Sequence, residues 1–333
     1  MSNNIKPAPG LRLGRGHSKI WIGPQYSLEL VQTCFLPLTD CPAMLPSMRE
    51  KPSVAIVGPG RLGTALALQL ARAGYRISEI VSRTPASARQ TRALTQTLKA
   101  RSSRYPNAGL DAGLIWLCVP DREIAVVAED LAARKIWKGK TVFHSSGALD
   151  SDILDPLREC GAKVASVHPM MTFVRGAVPT MKGITFALEG DAAAVRLARQ
   201  IVRGFGARTF LIRKRHKAVY HAWGAFTSPL LVAALVAAEQ VARAAGLKTA
   251  EARRMMLPIV CQTFVNYAAL GPAGAFSGPL VRGDAGIVRK HLQALKKIPE
   301  ARAVYIALAR SALRHLPAEN RSQLEKVLKT RIR

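Results

Sequence analysis

The stretch Val54-Ala55-Ile56-Val57-Gly58-Pro59-Gly60-Arg61-Leu62-Gly63 decides the fold. Four apolar residues read as a short buried strand, and a glycine corner follows them. Leu62 to Ala73 then carries a helical period that ends at Gly74, a glycine placed to close a helix. The spacing is GxGxxG, which is weak alone and specific when a strand precedes it and a helix follows. Gly58 permits the tight turn, Gly60 lets the backbone approach a pyrophosphate, and Gly63 lets the helix pack closely on the sheet. The helix N-terminus offers free N–H groups and partial positive charge to phosphates. Gly58, Pro59, Gly60, Arg61, Leu62 and Gly63 are therefore the expected dinucleotide cradle.

The pattern continues outward as alternating strands and helices. Arg76 to Val81 reads as a strand, Pro85 to Leu98 as a helix, and 99–110 as a basic, turn-rich loop. Leu114 to Val119 is a near-continuous apolar run, as parallel sheets require. Asp121 is placed to cap a helix from Arg122 to Ala132. Thr141 to His144, Lys163 to Val167, Ile184 to Leu188 and Arg208 to Ile212 read as further strands, with a helix from about Ala192 to Arg203. After Arg213 only helical periods remain, at about 218–245, 250–270, 285–297 and 301–316, before a basic tail. Such an order implies an α/β fold, a Rossmann-type doubly wound sheet, followed by an all-helical C-terminal domain. The expected division is 48–213 for the nucleotide-binding domain and 214–333 for a substrate and dimerisation domain. Residues 1–47, rich in Pro, Gly, Asn and Ser, read as a poorly ordered extension upstream of Met48.

The end of the second strand discriminates between coenzymes. A site for NAD places an acid there to hold the ribose hydroxyls. This chain has Ser82-Arg83-Thr84. A guanidinium attracts a 2′-phosphate and can bond it with two parallel hydrogen bonds. NADP(H) is the expected cofactor, with Ser82 and Arg83 at its adenosine end and Val119 and Pro120 near the ribose and nicotinamide.

Ligands of such sheets lie beyond the carboxyl ends of the strands. Cys118-Val119-Pro120-Asp121, His144-Ser145-Ser146-Gly147 and His168-Pro169-Met170-Met171-Thr172-Phe173 fall there. His144 and His168 are candidate catalytic residues, because imidazole exchanges protons near neutrality. Ser145 and Ser146 are candidate hydrogen-bonding partners of a substrate. In the helical part, Tyr220 and His221 open the long helix, and Arg282 precedes Asp284, a natural helix cap. Tyr220 and Arg282 are candidate substrate ligands, Arg282 for a carboxylate. His216 and His221, five residues apart, do not share a helical face, so no metal site is expected.

Composition limits the alternatives. The chain has 333 residues, 49% of them apolar, which excludes wholesale disorder. Lys and Arg number 49 against 21 Asp and Glu, a net charge of +28. That balance favours an anionic partner. No helix-turn-helix, KH or RNP signature supports nucleic acid, which is not the expected partner. Five scattered cysteines, with no CxxC pair, fit a reducing cytoplasm better than a disulfide framework. The uncharged run from Ala218 to Ala238 has the length of a membrane span, but it contains His221, Trp223, Gly224 and Pro229 and reads as a buried helix.

Taken together, VGPGRLGTAL, SRTPASA, CVPD, HSSGAL, HPMMTF, AVYHAW and SGPLVRGD resemble, in order, the Rossmann-like proteins that carry a DUF2520 domain, from about residue 52 to residue 316. The resemblance implies an NADP-dependent oxidoreductase. Its helical domain is similar to that of the 6-phosphogluconate dehydrogenase, pyrroline-5-carboxylate reductase and ketopantoate reductase group, whose members usually dimerise through it and bind substrate between the two domains. Two departures matter. The wider group often carries a catalytic Lys with an Asn on the first long helix; here there is no Lys after Lys217 in that region, and Pro229 occupies the place where Asn is frequent. His221 is then the nearest substitute on this helix. No tyrosine has Lys at i+4, so the short-chain dehydrogenase pair is absent. The expectation is an NADP(H)-dependent reductase or dehydrogenase of a small carbonyl or imine acid, working as a homodimer. The alternative is a non-catalytic NADP(H) sensor on the same fold.

Overall fold

The computed structural model describes residues 51–134, 137–174 and 179–329. The expected extension 1–47 lies outside them. Strands β1 (Val54–Val57), β2 (Ile77–Ser82), β3 (Arg101–Arg104), β4 (Leu114–Leu117), β5 (Thr141–His144), β6 (Lys163–Pro169), β7 (Thr185–Gly190) and β8 (Arg208–Leu211) form one sheet in the order β3-β2-β1-β4-β5-β6-β7-β8. All neighbours pair in parallel except β6 and β7. The chain runs outward from β1 through β2 to β3, then returns to β4 on the other side of β1. That reversal opens a crevice between the ends of β1 and β4.

Helices α1 (Arg61–Arg72), α2 (Pro85–Gln90), α3 (Arg92–Leu98), α4 (Asp121–Ala132), α5 (Asp155–Glu159) and α6 (Ala192–Gly204) connect the strands. Val54, Ile56, Leu114 and Trp116 pack with α1 and α6 on one face, while Ala55, Val57, Ile115 and Leu117 pack with α4 and α5 on the other. Burial on both faces explains why these strands are continuous apolar runs rather than alternating ones.

Several expectations are corrected here. The loop 99–110 contains β3, an edge strand. Its polar sequence Arg-Ser-Ser-Arg carries no apolar alternation, and it holds on through backbone pairing with β2. The helix expected from Pro85 to Leu98 is two helices broken at Thr91. Asp121 does not cap α4; it is the first helical residue after Pro120. A short 3-10 turn at Ser151–Leu154 and α5 fill a segment that the sequence left without an element.

Among the described residues no strand follows β8. Helices α7 (Lys217–Thr227), α8 (Pro229–Ala244), α9 (Thr249–Ala275), α10 (Ala285–Ala294), α11 (Pro299–His315) and α12 (Arg321–Lys329) complete the chain. Pro229 at the start of α8 removes a backbone donor, so the helix expected over 218–245 breaks at Ser228. The run Lys214–Ala244 is long and apolar enough to cross a membrane by length and composition alone. It is not the buried helix the sequence implied: α8 buries no residue, and α7 buries only Lys217 and Tyr220. A small core of its own joins α10, α11 and α12 around Val288, Leu292, Leu313 and Leu324. Asp284 precedes α10, but its carboxylate pairs with Arg282 instead of capping the helix.

Candidate active site

The glycine corner has the geometry its spacing implies. Gly58 adopts a φ of +92°, open to glycine at no steric cost. A Cβ there would lie 2.8 Å from Cys118 O and 3.1 Å from Val119 Cγ1, so the ends of β1 and β4 meet closely. A Cβ on Gly63 would collide with Gly58 O, whereas one on Gly60 meets nothing within 4 Å. The corner is closed beneath and open at Gly60. Arg61, Leu62 and Gly63 occupy the first turn of α1, where backbone N–H groups have no carbonyl one turn earlier. Residues of this shape and polarity fit a pyrophosphate. Arg61 Nη1 reaches over to donate to Phe173 O at 3.2 Å, tying the corner to the loop after β6.

Just past the end of β2, Arg83 is exposed, and its Nη1 lies 3.2 Å from Glu123 Oε2 in the first turn of α4. Ser82 Oγ is buried and has no hydrogen-bond partner among the described residues. Pro120 precedes α4, with Val119 packed under Gly58.

The turn after β5 is a dense hydrogen-bonded unit. Ser146 N donates to His144 Nδ1 at 3.1 Å, which leaves the proton on Nε2, and Nε2 donates to Asp150 O at 3.0 Å. Both ring nitrogens of His144 are thus occupied by backbone. Burial, reinforced by the Lys217 charge, pushes its pKa down to about 3. His144 is a neutral strut. Ser146 Oγ donates to Asp121 Oδ2 at 2.7 Å and accepts from Ala148 N and Leu149 N. Trp116 Nε1 donates to Ser145 Oγ at 2.8 Å.

His168 lies on β6, beyond the point where His144 pairs with Ser166. Its Nδ1 lies 2.8 Å from Tyr220 Oη on α7. The rings of Tyr220 and His221 stand edge-on to it at 5.4 and 6.1 Å. Gly147 sits beneath: a Cβ there would lie 2.6 Å from His221 Cδ2 and 2.8 Å from His168 Nε2. Burial first, then the charge of Lys217, lowers the His168 pKa to about 4. Burial raises that of Tyr220 to about 12. At neutral pH the pair is imidazole and phenol, and together they hold two exchangeable protons beside the turn after β5.

The structure therefore joins His168, Tyr220, His221 and the Ser145–Gly147 turn. Arg282 has no hydrogen bond or ion pair to this group among the described residues; it pairs with Asp284 at 3.0 Å. The sequence missed Lys217, which is 1% exposed and donates to Ser146 O at 3.0 Å and to Ser166 Oγ. Its place in the basic run Arg213-Lys214-Arg215-His216-Lys217 signals solvent rather than core. The only legible hint was position, since Lys217 stands four residues before His221, on the same face of the helix.

Comparisons with known proteins agree with this architecture. Residues 41–169 match a Rossmann-like domain, and residues 184–312 match a domain of unknown function, DUF2520. No curated protein sequence matches the chain. Among solved structures, a Bacteroides fragilis protein provisionally designated an NADP oxidoreductase is 24% identical, with a TM-score of 0.65 over 78% of this chain and 97% of that one. A Thermotoga maritima protein is 22% identical, with a TM-score of 0.61 over 84% and 100%. A reductive aminase from Aspergillus terreus, solved with NADPH and ethyl-5-oxohexanoate, is 18% identical, with a TM-score of 0.59 over 83% and 99%. The chain thus joins a Rossmann-like domain to a DUF2520 domain.

Proposed function

We propose that the protein is an NADP(H)-dependent oxidoreductase whose substrate is a small carbonyl or imine acid bound between the sheet and the helices. One observation carries the reading: a glycine corner shaped for a pyrophosphate opens at the same carboxyl end of the sheet as a half-buried imidazole hydrogen-bonded to a buried phenol. Support comes from the NADPH held by the Aspergillus terreus reductive aminase on the same fold. Bound, the coenzyme would supply or accept a hydride; the protein must bind, orient and exclude water.

Gly58, Gly60 and the first turn of α1 would hold the pyrophosphate. Arg83 would take the 2′-phosphate, exchanging its bond to Glu123 for a stronger charge-assisted one. Ser145 and the Ser146–Gly147 peptide would border the reacting end. Tyr220 Oη, 2.8 Å from His168 Nδ1, is the proton donor to a substrate oxygen or nitrogen, and the neutral His168 ring relays the replacement, giving its Nδ1 proton to the phenolate as Nε2 takes one from solvent. His221 borders the same space. His144, with both nitrogens taken, positions the turn and leaves the chemistry to this pair.

The exposed apolar side chains Trp223, Phe226, Leu230, Val232, Val236, Ile259 and Phe264 belong to an interface with a second copy of the chain. Contiguous patches of this kind are rare on monomers. A homodimer would also cover the face beside Tyr220, whose ring lies 6.1 Å from that of Trp223.

The test is titration of the purified protein with NADPH and NADH by fluorescence, followed by NADPH consumption across 2-keto acids, each with and without ammonia or a primary amine. Saturable NADPH binding with turnover of at least one substrate is expected, and Tyr220→Phe should lower that turnover more than it lowers affinity. Binding without turnover across the whole panel would favour the sensor. No binding of either nucleotide ends the redox reading.

A further inference from the structure

A lysine ammonium loses hydration worth several kcal/mol when buried, so one kept inside a protein needs acceptors for its protons. Lys217 is the one buried lysine among the described residues, and the chemistry proposed above does not use it. Its Nζ donates to Ser146 O and Ser166 Oγ, and Ser166 Oγ donates to the same carbonyl at 3.2 Å. One ammonium thereby ties α7, β6 and the turn after β5 together at a single peptide. That peptide leads into Gly147, on which the rings of His168 and His221 rest.

We propose that Lys217 is a positioning residue for the His168–Tyr220 pair, clamping the Ser146–Gly147 peptide beneath the imidazole. This rests on the reading of that pair as the proton-handling part of the site. Lys217 is set within its own helix four residues before His221 and three before Tyr220, so the clamp and the working face of α7 move as one body. The hydrogen bonds leave the ammonium facing the turn, not the crevice, which gives it a supporting place rather than a proton-donating one.

The charges around it are mixed. Glu189 on β7, Asp150 after β5 and Asp121 on α4 favour the ammonium, while burial, the largest influence, lowers its pKa to about 8. Lys217 is thus mostly charged at neutral pH. His168 faces Lys217, Tyr220 and His221 from α7, and His144 lies on the neighbouring strand. A cation near an imidazole disfavours the imidazolium, so removing it must raise the His168 pKa from its value near 4.

The experiment uses the full chain with ring-labelled histidine and glycine amide labelling, assigned through His168→Asn and Gly147→Ala. Lys217→Gln removes the charge but keeps a donor for Ser146 O; Ser166→Ala keeps the charge and removes one arm of the clamp. Lys217→Gln is expected to move the His168 midpoint upward by at least about half a unit. Both variants are expected to shift the Gly147 amide resonance while NADPH affinity stays within about threefold of the parent. An unmoved His168 midpoint in Lys217→Gln, or an unmoved Gly147 amide in Ser166→Ala, overturns the proposal. If the parent chain binds no nucleotide, the redox reading fails, and the histidine titration still decides the role of Lys217.

Discussion

Strands β1 and β4 bury every residue they contain, whereas α8, apolar from Pro229 to Ala238, buries none. The contrast lies in what covers them. Each strand has helices on both sides, supplied by its own chain. Helix α8 touches α7, α9 and α11 along part of its surface and presents Leu230, Val232 and Val236, each about half exposed, to the outside. Apolar composition states that a surface wants covering; it does not say which chain does the covering. The sheet region carries a closed glycine corner, and the helical region carries an uncovered apolar face.

The largest expected effect attacks the complete half. Gly63→Ala drives a methyl into Gly58 O, so either the corner or α1 must shift. Overpacking of this kind costs about 1–3 kcal/mol. Displacing the N–H groups that receive a pyrophosphate should weaken NADPH binding by about a hundredfold. Chemical denaturation and fluorescence titration of the same sample measure both. Binding within a few-fold of the parent would mean that α1 is not the phosphate helix.

The next effect breaks the incomplete half and should spare the other. Phe226→Glu with Leu230→Glu places two carboxylates on the uncovered face. Sedimentation should then show a monomer in place of a dimer, with turnover lost and NADPH affinity unchanged within about threefold, because the corner lies in one chain. A monomeric parent protein would refute the interface, and loss of NADPH affinity in the variant would refute the independence of the two halves.

The smallest effect sharpens the boundary between them. Arg83→Ala should raise the KM for NADPH by about tenfold and leave that for NADH nearly unchanged, as expected for one charge-assisted bond to a phosphate. Glu123→Gln should lower the NADPH KM a few-fold, since its carboxylate holds Arg83 and repels a 2′-phosphate. Equal changes for the two nucleotides would remove Arg83 from the adenosine end.

The order of β and α elements was legible because the signals are local. A buried parallel strand must be apolar throughout, and GxGxxG is demanded by contacts within a few residues. Strand β3 was illegible for the opposite reason: Arg101 to Arg104 belong to an exposed edge held by backbone pairing, which leaves no imprint on side-chain pattern. His144 and His168 read alike as strand-end histidines. Only the turn that fills both nitrogens of the first, and the tyrosine that meets the second across 52 residues of chain, separate a ring held by backbone from one paired with a phenol.

By itself the sequence determined a doubly wound sheet with a glycine corner at Gly58 and helices after Arg213, since hydrophobic period and glycine sterics act over a turn or two. Tertiary structure alone decided that Lys217 is buried, that Tyr220 meets His168, and that α8 is left uncovered. Those outcomes depend on which distant groups meet, and a buried charge or an open face is set by the neighbours it finds rather than by its own chemistry.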